Sequence, residues 1–408
     1  MTLYEELKWR GLIKDVTSPE LENKLNNEKL TFYIGTDPTA DSMHIGHYSS
    51  FLIAKRLAKA GHKPLLLIGG ATGRIGDPRP TTEREMKSIE EIEKNTKNLK
   101  KQAEEIFGFE VVDNYDWIKN INIIEFLRDY GKYFNINYML DKDIIRRRLE
   151  TGITFTEFSY MLLQSLDFLH LHETRGVNLQ VAGSDQWGNI TSGVDLIRKK
   201  LGNEVYAFTM PLILDQNGKK FGKSEGNALW LDKNKTSSYE LYQYLINTDD
   251  SMIESYLKVF TFLSPEEIMD IVSKHNNEPH LRLGQKTLAR EIITDLYGKE
   301  EYEKAVQISE NLFSGNIKEI NVNDLMIGLK DVPHFILKDE SLLDLLVNNN
   351  ICSSKREARE FLGNNAISVN GEIVNDENMF IDKTKTIEGK IVVIRRGKKK
   401  YYVGLVEE

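Results

Sequence analysis

The stretch "DPTADSMHIGH", from Asp37 to His47, follows the apolar run "LTFYIG" and carries two imidazoles three residues apart. If a helix begins here with Asp41 or Ser42 as its cap, His44 and His47 stand at i and i+3 and share one face. Unpaired backbone N–H groups and the positive end of the helix dipole make such a terminus an anion site, and Gly46 lets a nucleotide come close. Phosphate suits this chemistry, although a bare H-x-x-H pair suits ordinary capping residues as well. Zinc would need an H-E-x-x-H pattern or a third ligand, and neither follows. No metal site is expected.

Four more segments carry chemistry. In "GGATGRIGDP", which follows the apolar "KPLLLI", the glycines allow a sharp turn and Asp77 can face a cationic amino group, or the segment is simply a Gly-rich loop. In "FTEFSYMLLQSLDFLHL", Tyr160, Gln164 and Asp167 fall at i, i+4 and i+7, a polar stripe on an otherwise apolar helix. A carboxylate on an inward face costs several kcal/mol unless paired, and no basic residue lies within a helical turn of Asp167. A ligand donor is one candidate partner; a solvent-facing stripe is the alternative. His170 and His172, two apart, point in different directions. "NLQVAGSDQWGNI" puts Gly183, Asp185 and Gln186 just after a strand, where an open α/β sheet binds ligands. "GKKFGKSEG" places Lys220, Lys223 and Ser224 in a Gly-rich loop, either a solvated turn or a segment that closes over phosphates.

Elements able to position these residues follow from the pattern of the 408-residue chain. Up to about residue 230, apolar strand candidates alternate with amphipathic helices, which predicts a Rossmann-like α/β domain with a parallel sheet. Residues 231–325 have helical spacing, 326–340 read as a linker, and 341–408 read as a small α+β module. A length of this size suits two or three domains. No charged-then-apolar leader and no apolar run near the ~18 residues of a membrane span occur, so a cytoplasmic protein without membrane contact is expected. A single cysteine, Cys352, excludes an internal disulfide and a cysteine-built zinc site. The net charge of -8 argues against indiscriminate nucleic-acid binding. From Ser341 onward 11 basic residues face 10 acidic ones, a local balance of +1 that leaves -9 for the rest, so affinity for a polyanion must be concentrated locally.

The order of HIGH, GSDQ and KFGKS resembles the signatures of class I aminoacyl-tRNA synthetases. "WRGLI", "DPTADSMHIGH", "GGATGRIGDP", "TGITFTEFSYMLLQ", "GSDQWGNI", "KFGKSEGNALWLDK", "INTDD" and "RRGKKKYY" together look like the bacterial tyrosyl-tRNA synthetases along nearly the whole chain. The resemblance implies a ligase that joins tyrosine and ATP into tyrosyl-adenylate, releases pyrophosphate with magnesium, and transfers tyrosine to the terminal ribose of tRNA(Tyr). It implies that Tyr33 and Asp167 bind the phenolic hydroxyl, and that Tyr160, Gln164 and Asp77 bind the ammonium group. Gly35, Asp37, Gly46, His47, Ser50, Gly183, Asp185 and Gln186 then stand around the ribose, adenine or their support, with Gln186 also counted on the tyrosine side. Thr39 and His44 match residues at the triphosphate, and Lys220, Lys223 and Ser224 match a mobile phosphate loop. For the C-terminal module the likeness implies RNA binding through Lys355, Arg356, Arg359, Arg395, Arg396, Lys398, Lys399 and Lys400, with Tyr401 and Tyr402 able to stack on bases. "GKYFNINYML" and Phe155 correspond to the family's subunit contact, so a homodimer is implied. One departure is "GDPRPTTER", about a residue shorter than in many relatives, where a pyrophosphate-contacting lysine is replaced by Arg79 or Arg84. The alternatives are a tryptophanyl-tRNA synthetase and a non-catalytic RNA-binding protein on the same scaffold.

Overall fold

The computed structural model describes all residues except 80, 81, 83, 84, 225, 226, 398, 399 and 408, and except the side chains of 223, 224 and 227. The chain divides into two compact units, residues 1–236 with 248–292, and residues 237–247 with 293–408.

The first unit is built on five parallel strands: β1 (Thr31–Thr36), β2 (Lys63–Ile68), β3 (Glu110–Asp113), β4 (Leu179–Gly183) and β5 (Tyr206–Met210), in spatial order β3-β2-β1-β4-β5. This is the expected Rossmann-like sheet, with β3 the strand that the sequence pattern did not reveal. Continuous apolar runs such as Leu65–Ile68 are buried, as befits a parallel sheet covered on both faces. Helices Phe155–Arg175 and Trp187–Leu201 supply Leu166, Phe168, Leu169, Leu196 and Ile197 to a core that also holds Tyr33, Leu65 and Leu67. Because the strand order reverses between β2-β1 and β4-β5, a crevice opens beyond the carboxyl ends of β1 and β4. Gly35 and Gly183 stand at those two ends.

Helix Ile253–Phe260 belongs to this first unit. Its Tyr256 hydroxyl donates to the Leu214 carbonyl at 2.9 Å, and buried Arg10 donates to the carbonyls of Lys258 and Leu263. The expected helical domain at 231–325 therefore does not form one body: its middle is tied to the sheet unit, while helices Ser238–Ile246 and Lys299–Ser314 fall in the second unit.

The second unit contains a five-stranded sheet in which strand His334–Ile336 pairs in parallel with Lys400–Leu405, beside antiparallel Ile391–Arg396, Ile367–Val369 and Glu372–Ile373. The linker expected at 326–340 thus includes an edge strand, too short to stand out by alternation. Period-two alternation splits strand Ile391–Arg396 between two cores. Val392 and Ile394 pack with Leu345, Leu346 and Leu362, whereas Ile391 and Val393 pack with Ile308, Leu312 and Leu325.

Candidate active site

A cavity of about 1010 Å³ fills the crevice at the ends of β1 and β4. Tyr33, Gly35, Asp37, Thr39, His44, Gly46, His47 and Ser50 line it, as do Asp77, Tyr160, Gln164, Asp167, Gly183, Asp185, Gln186 and Lys220. Residues scattered over nearly two hundred positions are brought together because they sit at strand ends, on helices facing the switch point, or, like Thr39, Asp77 and Lys220, in the loops that connect these elements. Lys223 and Ser224 lie in a two-residue strand just beyond, with side chains outside the described set.

The helix Ile45–Lys59 begins differently from expectation. His44, not Asp41 or Ser42, is the N-cap: its Nδ1 accepts from the Gly46 N–H at 3.0 Å, and the His47 Nδ1 accepts from the His44 N–H at 3.1 Å. Asp41 is instead ion-paired with Lys235, which holds its carboxyl below the usual range, and the Ser42 hydroxyl donates to the Met43 carbonyl at 2.9 Å. With both Nδ1 atoms accepting, the ring proton of each neutral imidazole sits on Nε2. Burial, then the neighbouring His44, lowers the His47 pKa to about 3, so this ring stays neutral. Gly46 has a local reason as well as nucleotide access: a Cβ there would lie 2.8 Å from His44 Cε1.

Deeper in the cavity the polar side chains hold one another. Asp37 accepts from the Thr72 hydroxyl at 2.7 Å and the Tyr160 hydroxyl at 2.9 Å. Gly69 makes that approach possible, since a Cβ there would come within 2.1 Å of Asp37 Oδ1. Asp77 accepts from Gln186 Nε2 at 2.8 Å and Asn189 Nδ2 at 3.2 Å. Asp167 is 2% exposed, and its oxygens accept from Asn114 Nδ2 and Trp117 Nε1, both at 3.0 Å. So Asp167 already has protein partners, both neutral, and a ligand is not its sole source of donors. Burial outweighs these two hydrogen bonds and pushes its carboxyl up to about 8. Tyr33 is buried with no hydrogen-bond partner for its hydroxyl, and its pKa is driven well above the usual value by burial and then by the charge of Asp167. A donor hydroxyl and a carboxyl thus share the inner end, a site able to satisfy one more hydroxyl group.

Asn114, Trp117, Thr72 and Asn189 escaped the sequence reading. The available signal for the first two was "VVDNYDW": Asn114 directly follows β3 at the carboxyl edge of the sheet. Arg79 lines the cavity, its carbonyl and that of Thr82 accepting from buried Arg148, while Arg84 lies outside the described residues.

Among the described residues of the second unit, the basic side chains of the expected patch do not all lie on one face. Arg396 donates to the Ile351 carbonyl and lies over the Phe361 ring at 5.3 Å, on the side of the Leu345 core. Arg395, on the opposite face of the strand, approaches Gly315. Lys355 pairs with Asp344 at 2.6 Å and Arg359 with Glu377 at 2.5 Å. Arg356 and Lys400 are exposed, and Lys398 and Lys399 lie outside the described residues. Tyr401 donates to the Leu312 carbonyl at 2.7 Å and Tyr402 packs on the other core, so both rings have structural work where stacking on bases was expected.

Residues 25–314 match the family of class I tRNA synthetases for tryptophan and tyrosine, and residues 324–404 match the C-terminal domain of tyrosine--tRNA ligases. The chain is 49% identical to the tyrosine--tRNA ligase of Listeria monocytogenes over 99% of both chains, and 50% identical to that of Macrococcus caseolyticus over 98% of both. A C-terminally truncated mitochondrial tyrosyl-tRNA synthetase of Aspergillus nidulans superposes with a TM-score of 0.67 at 33% identity, covering 76% of this chain and 94% of that one. A cavity at the switch point and likeness along nearly the full length converge: the chain belongs to the tyrosine--tRNA ligase family of class I aminoacyl-tRNA synthetases.

Proposed function

We propose that the cavity works as a two-ended template for the family's reaction. Tyr33 and Asp167 bracket the phenolic hydroxyl of tyrosine, and Asp77, Tyr160 and Gln164 take its ammonium group. Gly35, Asp37, Gly46, His47, Ser50, Gly183, Asp185 and Gln186 surround the nucleoside, and Thr39, His44, Lys220, Lys223 and Ser224 meet the triphosphate. The observation that carries this reading is the buried Asp167 carboxyl beside a Tyr33 hydroxyl that lacks a partner.

No enzyme nucleophile is needed. The tyrosine carboxylate attacks the α-phosphorus of ATP, the α–β bridge breaks, and pyrophosphate leaves; a terminal ribose hydroxyl of tRNA(Tyr) then attacks the acyl carbon and AMP departs. The protein contributes alignment and donors aimed at developing charge. His44 Nε2–H suits a phosphate oxygen, because the capping bond fixes the tautomer that donates there. Magnesium is expected to arrive on the triphosphate oxygens; among the described residues no cluster of three or more His, Cys, Asp or Glu could hold a metal. Tyrosine-dependent exchange of labelled pyrophosphate into ATP tests the reading, and equal exchange with phenylalanine or tryptophan would refute the assigned inner end.

Exposed basic residues such as Arg356 and Lys400 support a tRNA-contacting role for the second unit. Replacing Arg356 by Ala should weaken tRNA binding a few-fold and flatten its salt dependence by about one counterion. Exposed apolar side chains between 123 and 155, including Ile124 at 67% and Phe155 at 73%, support a homodimer. A cytoplasmic location is part of the same reading; no helix among the described residues is long and apolar enough to cross a membrane.

A further inference from the structure

A second cavity, of about 600 Å³, opens against β3 and the C-terminal turns of helix Phe155–Arg175. Trp117 stands in its wall, half-buried, on a helix of only four residues, Tyr115–Ile118, with no side-chain N-cap bond. The segment is tied down at its start, where the Tyr115 N–H donates to Asp113 Oδ1 at 2.9 Å, and Trp117 packs against the core of Leu166 and Leu169, but neither contact sets the direction of the indole N–H. Yet the indole Nε1 reaches Asp167 Oδ1 at 3.0 Å. What faces the indole plane is His170, one turn beyond Asp167 on the same helix, its ring stacked on Trp117 at 4.5 Å between centroids and 13° between planes. Two residues of one helix thus grip a single indole, one at its edge and one at its face.

We propose that His170 is a positioning residue for amino-acid selection: its ring holds Trp117 so that the indole N–H meets Asp167 and aims the carboxyl at the substrate hydroxyl. This rests on the reading of Asp167 as the partner of the phenol. His172 has a different occupation, its Nδ1 lying 2.8 Å from the Val177 carbonyl and its Nε2 2.9 Å from Asn203. Burial lowers the His170 pKa, so the ring is uncharged at neutral pH and phenylalanine is its closest stand-in. A stacked aromatic pair contributes little to overall stability but is directional, and direction is what Asp167 requires.

The test uses the full chain with His170→Ala, His170→Phe and, as a reference, Asp167→Ala, read by pyrophosphate exchange with tyrosine and with phenylalanine. His170→Ala should raise KM for tyrosine and lower the tyrosine-to-phenylalanine ratio, each by about 3- to 10-fold, with KM for ATP unchanged; His170→Phe should restore both. An unmoved KM and ratio in His170→Ala, or a His170→Phe variant as impaired as His170→Ala, overturns the proposal. If Asp167→Ala keeps its selectivity, the reading of the inner end fails and this inference with it. If Asp167→Ala loses selectivity while His170→Ala does not, only the role of His170 falls.

Discussion

The two ends of the catalytic cavity are held by different means. At the outer end, His44 and His47 are fixed by the backbone amides of their own helix start, within four consecutive residues. At the inner end, Asp167 is fixed by Asn114 and Trp117, about fifty positions away in sequence, and Tyr33 is seated against Phe168 with ring centroids 5.5 Å apart. The outer end is therefore a local device and the inner end a tertiary one; in the proposed function the first meets charge and the second reads a hydroxyl. Charge stabilisation tolerates a site built from dipoles at a helix terminus. Discrimination by one hydroxyl requires buried groups that stay unpaired when the wrong substrate enters.

That contrast predicts a ranking. Asp167→Ala should cost the most, about a 10³-fold loss of kcat/KM for tyrosine, because it removes the substrate's acceptor and strands two buried donors, each worth roughly 1–3 kcal/mol. Steady-state exchange measures it, and a loss confined to ATP would break the assignment of ends. His44→Ala should slow adenylate formation by about 100-fold with tyrosine binding intact, the size of one lost donor to developing charge. Stopped-flow traces showing weakened tyrosine binding instead would blur the two ends into one. The pH behaviour sharpens the difference in burial. Because the folded pKa of His47 is depressed to about 3, the folded state resists a proton that the unfolded chain accepts below about 6.5. Stability carried by the neutral ring is present above that pH and falls by roughly 1.4 kcal/mol per unit as pH drops toward 3. Urea unfolding at pH 6.5 and pH 5 should show about 1.6 kcal/mol of acid loss that His47→Gln removes. The smallest effect is expected of Gly46→Ala, whose methyl would displace the His44 ring and cost about 1 kcal/mol of capping, visible as a lowered Tm and a modest drop in activation rate.

Much of the site was legible before any coordinates. HIGH and GSDQ lie at element starts where local spacing carries the information, and the stripe of Tyr160, Gln164 and Asp167 follows from helical period alone; the stripe lines the cavity, as do His44, Gly46, His47, Gly183, Asp185 and Gln186. Asn114 and Trp117 could not be tied to Asp167 from sequence, because beyond the strand-like "VVD" before them nothing in "DNYDW" marks it as the neighbour of a helix fifty residues on. The cap lies at His44 for a related reason. Asp41 and Ser42 are better caps by type, but Asp41 is drawn away by Lys235 from a distant segment. In the second unit, Arg395 and Arg396 look like one basic patch in sequence, and strand pleating sends them to opposite faces.

Sequence by itself determined the parallel sheet, the helix that begins beside the cavity and the polar stripe, since hydrophobic period and terminal chemistry are properties of short segments. Tertiary structure alone decided the ionisation of Asp167, the neutrality of His47 and the partners that aim them. Those depend on how much water is excluded and which distant dipoles replace it, and exclusion is a property of the packed whole.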